Sequence, residues 1–237
     1  MGITLLPDTD NAVQNPLNLR GILFHKKFSY FYRIPSLFKN WENRTYLMNA
    51  IPTLFKDVWL LKPTLHTDSR GSFTERYNQN DFRASTGREI FFCQDNLTFS
   101  KKGVLRGLHY QLPPYSQSKL VGVLDGIVLD VVVDIRKGSP TFGKHFSQEL
   151  SAENQLQLFI PRGFAHGFIT LSETSLFTYK VDHPYHPERE GSIAPDDPTL
   201  GIDWRIPPEE WIQSEKDKTH PQLDQAPLFD FNQNLYV

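Results

Sequence analysis

QSKLVGVLDGIVLDVVVDIR, residues 117–136, decides the fold class. Asp125-Gly126 lies between two apolar runs, and that dipeptide signals a two-residue β-hairpin turn, because glycine accepts the positive φ such turns require. The second run alternates. Ile127, Leu129, Val131, Val133 and Ile135 fall on one phase; Val128, Asp130, Val132, Asp134 and Arg136 fall on the other. A period of two puts successive side chains on opposite faces of a strand. Similar runs extend both ways: 54–63, 72–78, 89–100 and 103–111 upstream, and 144–151, 156–161, 164–171 and 175–182 downstream. Turn chemistry separates them, as in Asp68-Ser69-Arg70-Gly71, the paired prolines of Leu112–Ser116, and Gly138–Gly143. Short strands at spacings of roughly 8–12 residues predict an all-β sandwich or small barrel. A double-sheet jelly roll with an open mouth fits best. Residues 80–86 suit a short helical turn. Pro207-Pro208-Glu209-Glu210 predicts a short C-terminal helix running to about Asp217, since proline and acids favour a helix start.

Composition narrows the function. A formal charge of -2 over 237 residues gives no general reason to expect nucleic acid or an anionic membrane as partner. No apolar run is long enough for a membrane-spanning helix. The single cysteine, Cys93, excludes an intrachain disulfide and any Cys-x-x-Cys metal site, and it fits a reducing compartment, the cytoplasm. Residues 1–47 differ from the rest, being basic, poor in acids and crowded with aromatics after Phe24. The LRGILF run breaks at His25-Lys26-Lys27, so it lacks the apolar centre of a secretory signal, and an organelle-targeting segment is the weaker reading. The stretch reads as an irregular N-terminal extension, with Phe38–Leu47 able to dock through Trp41 and Tyr46 and Met48 as the functional start. The expected organisation is an extension (1–47), one domain (48–220) and an irregular C-terminal tail (221–237).

Chemistry concentrates in GVLRGLHYQ, residues 103–111, where strict alternation puts Arg106 and His109 on opposite faces. A second histidine, His166, sits in Pro161-Arg-Gly-Phe-Ala-His-Gly, which resembles the Pro-x-Gly-x-x-His turn of cupin-type jelly rolls. In metal-binding cupins that histidine joins a His-x-His pair and a glutamate. Here Gln111 stands where the second histidine would, and no acid follows. Two histidines are too few for a divalent site, so no metal is expected and the imidazoles suit proton transfer. Lys119 is a candidate oxyanion stabiliser and Tyr179 a candidate proton donor. From spacing alone Asp217 reads as a solvated residue.

The stretches DSRGSFTERYNQNDF, CQDNLTFSKKGVLRGLHYQ, KLVGVLDG, DIRKGSPTFGK, ELSAENQ, IPRGFAHGF, YKVDHPYHPERE, DDPTLGIDW and SEKD, in order from about Ile51 to Asp217, resemble the dTDP-4-dehydrorhamnose 3,5-epimerase family. The resemblance implies a cupin-like jelly roll, a homodimer with strands exchanged across its interface, and no cofactor or metal. It implies epimerisation of dTDP-4-dehydro-6-deoxy-D-glucose at C3 and C5 through an enolate. By position it makes His109 the general base, Asp217 its dyad partner, Tyr179 the proton donor and Lys119 the enolate stabiliser, with His166 beside the sugar. Arg70, Glu75, Gln94, Asp95, Asn96 and Arg106 match nucleotide and diphosphate contacts, and Glu190 and Lys216 further substrate contacts. The alternatives are a one-carbon epimerase of a related dTDP-4-keto sugar, a metal-dependent cupin enzyme, and a non-catalytic sugar-nucleotide binder. No dinucleotide or Walker glycine pattern is present, and a redox-neutral inversion needs none.

Overall fold

The strands of the computed structural model, which describes residues 48–236, form two stacked antiparallel sheets. The first is six-stranded, in the order β1 (Met48–Pro52), β2 (Trp59–Pro63), β11 (Gln157–Ile160), β7 (Lys119–Asp125), β13 (Thr174–Val181) and β5 (Gln94–Lys101). The second is five-stranded, in the order β10 (His145–Ser151), β8 (Ile127–Asp134), β12 (Phe164–Thr170), β6 (Leu105–Gln111) and β14 (Glu190–Ser192). A separate hairpin joins β3 (Leu65–Asp68) to β4 (Gly71–Thr74), and β9 (Arg136–Lys137) pairs in parallel with β15 (Phe229–Asp230). The helix expected near residue 80 is α1 (Gln79–Thr86), capped by the Asn78 side chain and closed by Gly87 in the left-handed region. From β5 to β8 each strand lies in the sheet opposite its predecessor, and β11 to β14 alternate likewise. This is the cupin-like jelly roll.

The crossing between sheets corrects the hairpin at Asp125-Gly126. β7 bonds to β11 and β13, β8 bonds to β10 and β12, and the two do not pair. Both have their edges taken by other strands, so the turn is a corner between sheets. Gly126 is still required there: its φ is +79° and a Cβ would lie 2.1 Å from Thr174 O. Both phases of β8 are therefore buried. Val128 and Val132 pack between the sheets with Val121, Val123, Leu158, Phe164, Phe168 and Phe177. Leu129, Val131, Val133 and Ile135 form the outer face, covered by the C-terminal segment through Ile193, Leu200, Trp204, Leu223, Ala226 and Phe229. On the other sheet's outer side Phe82 of α1 packs with Leu61, Leu120 and Phe159.

One further expectation changes. The C-terminal helix is replaced by separate 3-10 turns, Pro208–Glu210 and Asp217–Thr219. Ile212 donates to Gly103 O and accepts from Leu105 N, and this extended pairing at the start of β6 breaks the helix. The tail expected to be irregular carries one short strand: β15 pairs with β9 and Phe229 is buried. The readings made for residues 1–47 lie outside the described residues. Among those described, no helix is long and apolar enough to cross a membrane.

Candidate active site

A cavity of about 260 Å³ opens between the sheets. Arg106, His109 and Gln111 of β6, His166 and Phe168 of β12 and Glu190 of β14 line it from the five-stranded sheet. Thr98 of β5, Lys119 of β7 and Phe177 and Tyr179 of β13 line it from the six-stranded sheet. Arg106 and His109 point into the same space, not to opposite faces. β6 carries one extra residue against β12: His109 stands opposite His166, and Arg106 opposite Phe168. Such a bulge inverts the alternation. Gly107 makes it possible, with φ +129° and its Cα face against Gly167.

His109 Nε2 lies 2.9 Å from Asp217 Oδ1. The pairing of Ile212 with the start of β6 brings the following turn beside His109, and Ser214 Oγ accepts from Asp217 N to fix it. With its Nε2 proton directed at Asp217, His109 keeps its lone pair on Nδ1. Burial raises the Asp217 carboxyl, but His109 and His220 together hold it well below the usual carboxylate range. A second pair, His166 Nε2 to Asp130 Oδ2 at 2.8 Å, is wholly buried. Burial pushes the His166 imidazole down, in excess of what Asp130 returns, so it is neutral at neutral pH.

Across the cavity, burial pushes the Lys119 ammonium down to about 8 against the opposing pull of Asp130 and Glu190. Its Nζ lies 3.4 Å from His109 O. Burial pushes the Tyr179 phenol up, partly offset by Arg106. Glu190 accepts from Lys216 Nζ at 2.5 Å and Tyr185 OH at 2.6 Å. Burial raises its carboxyl, and those two bonds bring it below its ordinary value. This Lys216 contact ties an otherwise exposed side chain to the cavity rim.

The other anticipated residues divide. Gln94 and Asn96 share the inward phase of Thr98 on β5 and bond to each other at 2.8 Å. Asp95 occupies the outward phase and pairs with Lys180 at 2.6 Å, away from the cavity. Arg70 sits on the exposed β3–β4 hairpin, paired with Asp68, and Glu75 follows that hairpin; neither lines the cavity. Tyr185, Asp130 and His220 were not anticipated. Asp130 did carry a signal, a carboxylate on the same phase as Val128 and Val132. Among the described residues one group has donors close enough for a metal ion: His109, Asp217 and His220, within 4.8 Å of one another. Gln111 contributes nothing to it. Its amide bonds Tyr115 O, Pro184 O and His186 N, bracing two loops at the mouth.

The sequence model described as dTDP-4-dehydrorhamnose 3,5-epimerase matches residues 52–225. A dTDP-4-dehydrorhamnose 3,5-epimerase of Salmonella typhimurium is 50% identical over 184 residues, covering 77% of this chain and 99% of that protein. One from Methanothermobacter thermautotrophicus is 43% identical over 180 residues, covering 76% of this chain and 96% of its own. The crystal structure of dTDP-6-deoxy-D-glucose-3,5-epimerase from Legionella pneumophila, in complex with dTDP-4-keto-L-rhamnose, superposes with a TM-score of 0.75 at 44% identity, covering 78% of this chain and 100% of that one.

Proposed function

This chain belongs to the dTDP-4-dehydrorhamnose 3,5-epimerase family, and we propose that it inverts C3 and C5 of dTDP-4-dehydro-6-deoxy-D-glucose to give dTDP-4-dehydro-L-rhamnose, in dTDP-rhamnose biosynthesis. One observation carries the assignment of roles: His109, backed by Asp217, and Tyr179 line a single cavity from opposite sheets. Inversion at carbon needs a base on one face and an acid on the other. The C4 ketone acidifies the C–H bonds at C3 and C5. At each carbon His109 Nδ1 takes the proton and the C–H electron pair moves into the C–C bond and onto the ketone oxygen; the pair then returns to carbon as Tyr179 delivers its proton to the opposite face, and exchange with solvent removes the proton from His109 and restores the one on Tyr179 before the second inversion. The Lys119 ammonium stabilises the enolate oxygen, an interaction strengthened by the low polarity of a closed site. His166, held by Asp130, flanks the sugar as a neutral hydrogen-bonding group.

Arg106 stands exposed at the mouth, suited to a diphosphate, with Gln94 and Asn96 nearby on β5. Glu190 and Lys216 complete the sugar side. The β3–β4 hairpin is solvent-exposed, and Phe73 on it is 69% exposed. Such an arm supports a homodimer in which Arg70 and Glu75 complete the nucleotide site of the partner subunit. Residues 48–220 are then the epimerase domain, 221–237 its tail and 1–47 dispensable for catalysis, as the span of the family match supports. The cytoplasm is the compartment in which an exposed thiol such as Cys93 stays reduced.

The test is incubation with dTDP-4-dehydro-6-deoxyglucose in heavy water with chelator, read by NMR. The expected result is deuterium at both C3 and C5 and an L-configured product. Deuterium at one carbon alone would make the protein a one-carbon epimerase, and deuterium at neither would overturn the reading.

A further inference from the structure

His220 follows Asp217 by three residues, and its side chain is 3% exposed. Neither ring nitrogen has a well-aligned hydrogen bond among the described residues, although His220 stands near enough to Asp217 to help lower its carboxyl. A buried polar ring without such a bond is unfavourable, so its surroundings need to return something for keeping it there. The ring approaches two groups. Its Nε2 lies 3.3 Å from Asp217 Oδ1, the same oxygen that His109 Nε2 approaches at 2.9 Å. It packs on the His109 ring in a T-shaped contact, with centroids 5.1 Å apart at 75°. A second carboxylate competes for the base, since Glu190 Oε1 is 3.8 Å from His109 Nε2.

We propose that His220 is a positioning residue for the catalytic base: it shares Asp217 Oδ1 with His109 and braces the His109 ring, holding Nε2 on Asp217 and away from Glu190. The consequence is a fixed tautomer and a fixed direction for Nδ1. Asp217 belongs to a 3-10 turn of only three residues, which is too short to orient a carboxylate by itself. The His220 ring lies against both members of the dyad and restricts them together. It does not touch the reacting atoms, so its effect falls on the rate of proton transfer and leaves substrate affinity alone. This inference rests on the epimerase reading above.

The experiment compares wild type, His220→Leu and His220→Asn in steady-state turnover and in deuterium exchange at C3 and C5, with thermal melting to check folding. Leucine fills the space without a donor; asparagine keeps a donor toward Asp217. The expected result for His220→Leu is a fall in kcat of about tenfold, the order of one hydrogen bond's contribution, with KM within about twofold. Exchange at both carbons falls together, and His220→Asn recovers most of the loss. Full kcat in His220→Leu, a loss confined to KM, or an asparagine variant no better than leucine would overturn the proposal. Should His220→Leu not fold, His220→Ala takes its place beside His220→Asn. Wild type that exchanges neither carbon would sink the epimerase reading itself; wild-type exchange with an indifferent His220 sinks only this inference.

Discussion

Lys119 offers a prediction whose size follows from its surroundings. Burial between the sheets lowers its ammonium from an ordinary 10.5 to about 8, although Asp130 and Glu190 both favour the charge. The charged form is the one able to stabilise an enolate oxygen, and it is lost as pH rises through about 8. At pH 9 only about one enzyme molecule in eleven keeps the charge, so kcat/KM should fall about tenfold per unit above that point. Tyr179 adds no competing limb, because burial moves its phenol upward. The assay is kcat/KM of the free enzyme from pH 6 to 10, by NMR or a coupled reductase. In Lys119→Arg the limb near 8 should vanish, since guanidinium stays charged throughout, even if misplacement lowers the plateau. Lys119→Met should lose about 10² to 10³ in kcat, as for a missing oxyanion donor. A profile flat to pH 10, or a limb that persists in the arginine variant, would refute the argument. Stability runs the other way. The unfolded chain binds this proton more tightly, so folding becomes more favourable between about pH 8 and 10.5, by about 3 kcal/mol. Lys119→Met should therefore melt higher than wild type at neutral pH while being nearly inactive.

His109→Ala should abolish deuterium exchange at both carbons, whereas Tyr179→Phe should slow turnover more than the first proton abstraction; equal effects on both steps would remove the separation of base and acid. Asp217→Asn should keep the fold and lower kcat by about 10² or more, because an amide can donate to Nε2 and so move the imidazole proton to Nδ1, where the base needs its lone pair. Near wild-type kcat would show that the dyad is not required. Gly107→Ala should be severely destabilised, since a Cβ there would lie 2.5 Å from Gly167 Cα and 2.9 Å from His166 O at a φ of +129°. Backbone cannot yield as a side-chain tip can, so a loss of about 3 kcal/mol or more is expected in urea unfolding.

What could be read along the chain was local, and what could not was tertiary. The period of two in Ile127–Arg136 is a property of neighbours, so the strand and its two phases were visible. That both phases are buried depends on Leu223, Ala226 and Phe229, which return from about ninety residues away to cover Leu129 and Val133. The Asp125-Gly126 turn carries the same chemistry whether its arms pair or part, and only the occupancy of β7 and β8 by other strands decides it. The helix expected after Pro207 lost to the bond between Ile212 and Leu105, a partner more than a hundred residues upstream. At the site, His109 and His166 stood out as residue types. Asp217 was reached only through the family resemblance, since its spacing alone reads as a solvated residue until β6 meets the 217 turn; Asp130 is matched to His166 only once β12 meets β8.

The fold also explains why His109 and Tyr179, the proposed base and acid, face each other. Strands that alternate between sheets place Leu105–Gln111 and Thr174–Val181 on opposite walls of one gap. A base on the first and an acid on the second then address opposite faces of any flat group held between them, without a moving part. The bulge at Gly107 is what admits Arg106 to the same gap as His109; in a regular strand one of the two would face the outer core with Leu105 and Leu108. An anionic nucleotide and a reacting sugar can thus be held by one strand, the guanidinium at the mouth and the imidazole deeper in. On this view the extra residue at Gly107 is what keeps substrate binding and proton abstraction on one wall, since a regular strand of unchanged length would part them. Deleting Gly107 leaves Arg106 and His109 two positions apart and therefore still on one phase, so a folded deletion variant should keep both dTDP affinity and C3 exchange; loss of one with the other intact would refute the bulge as their link.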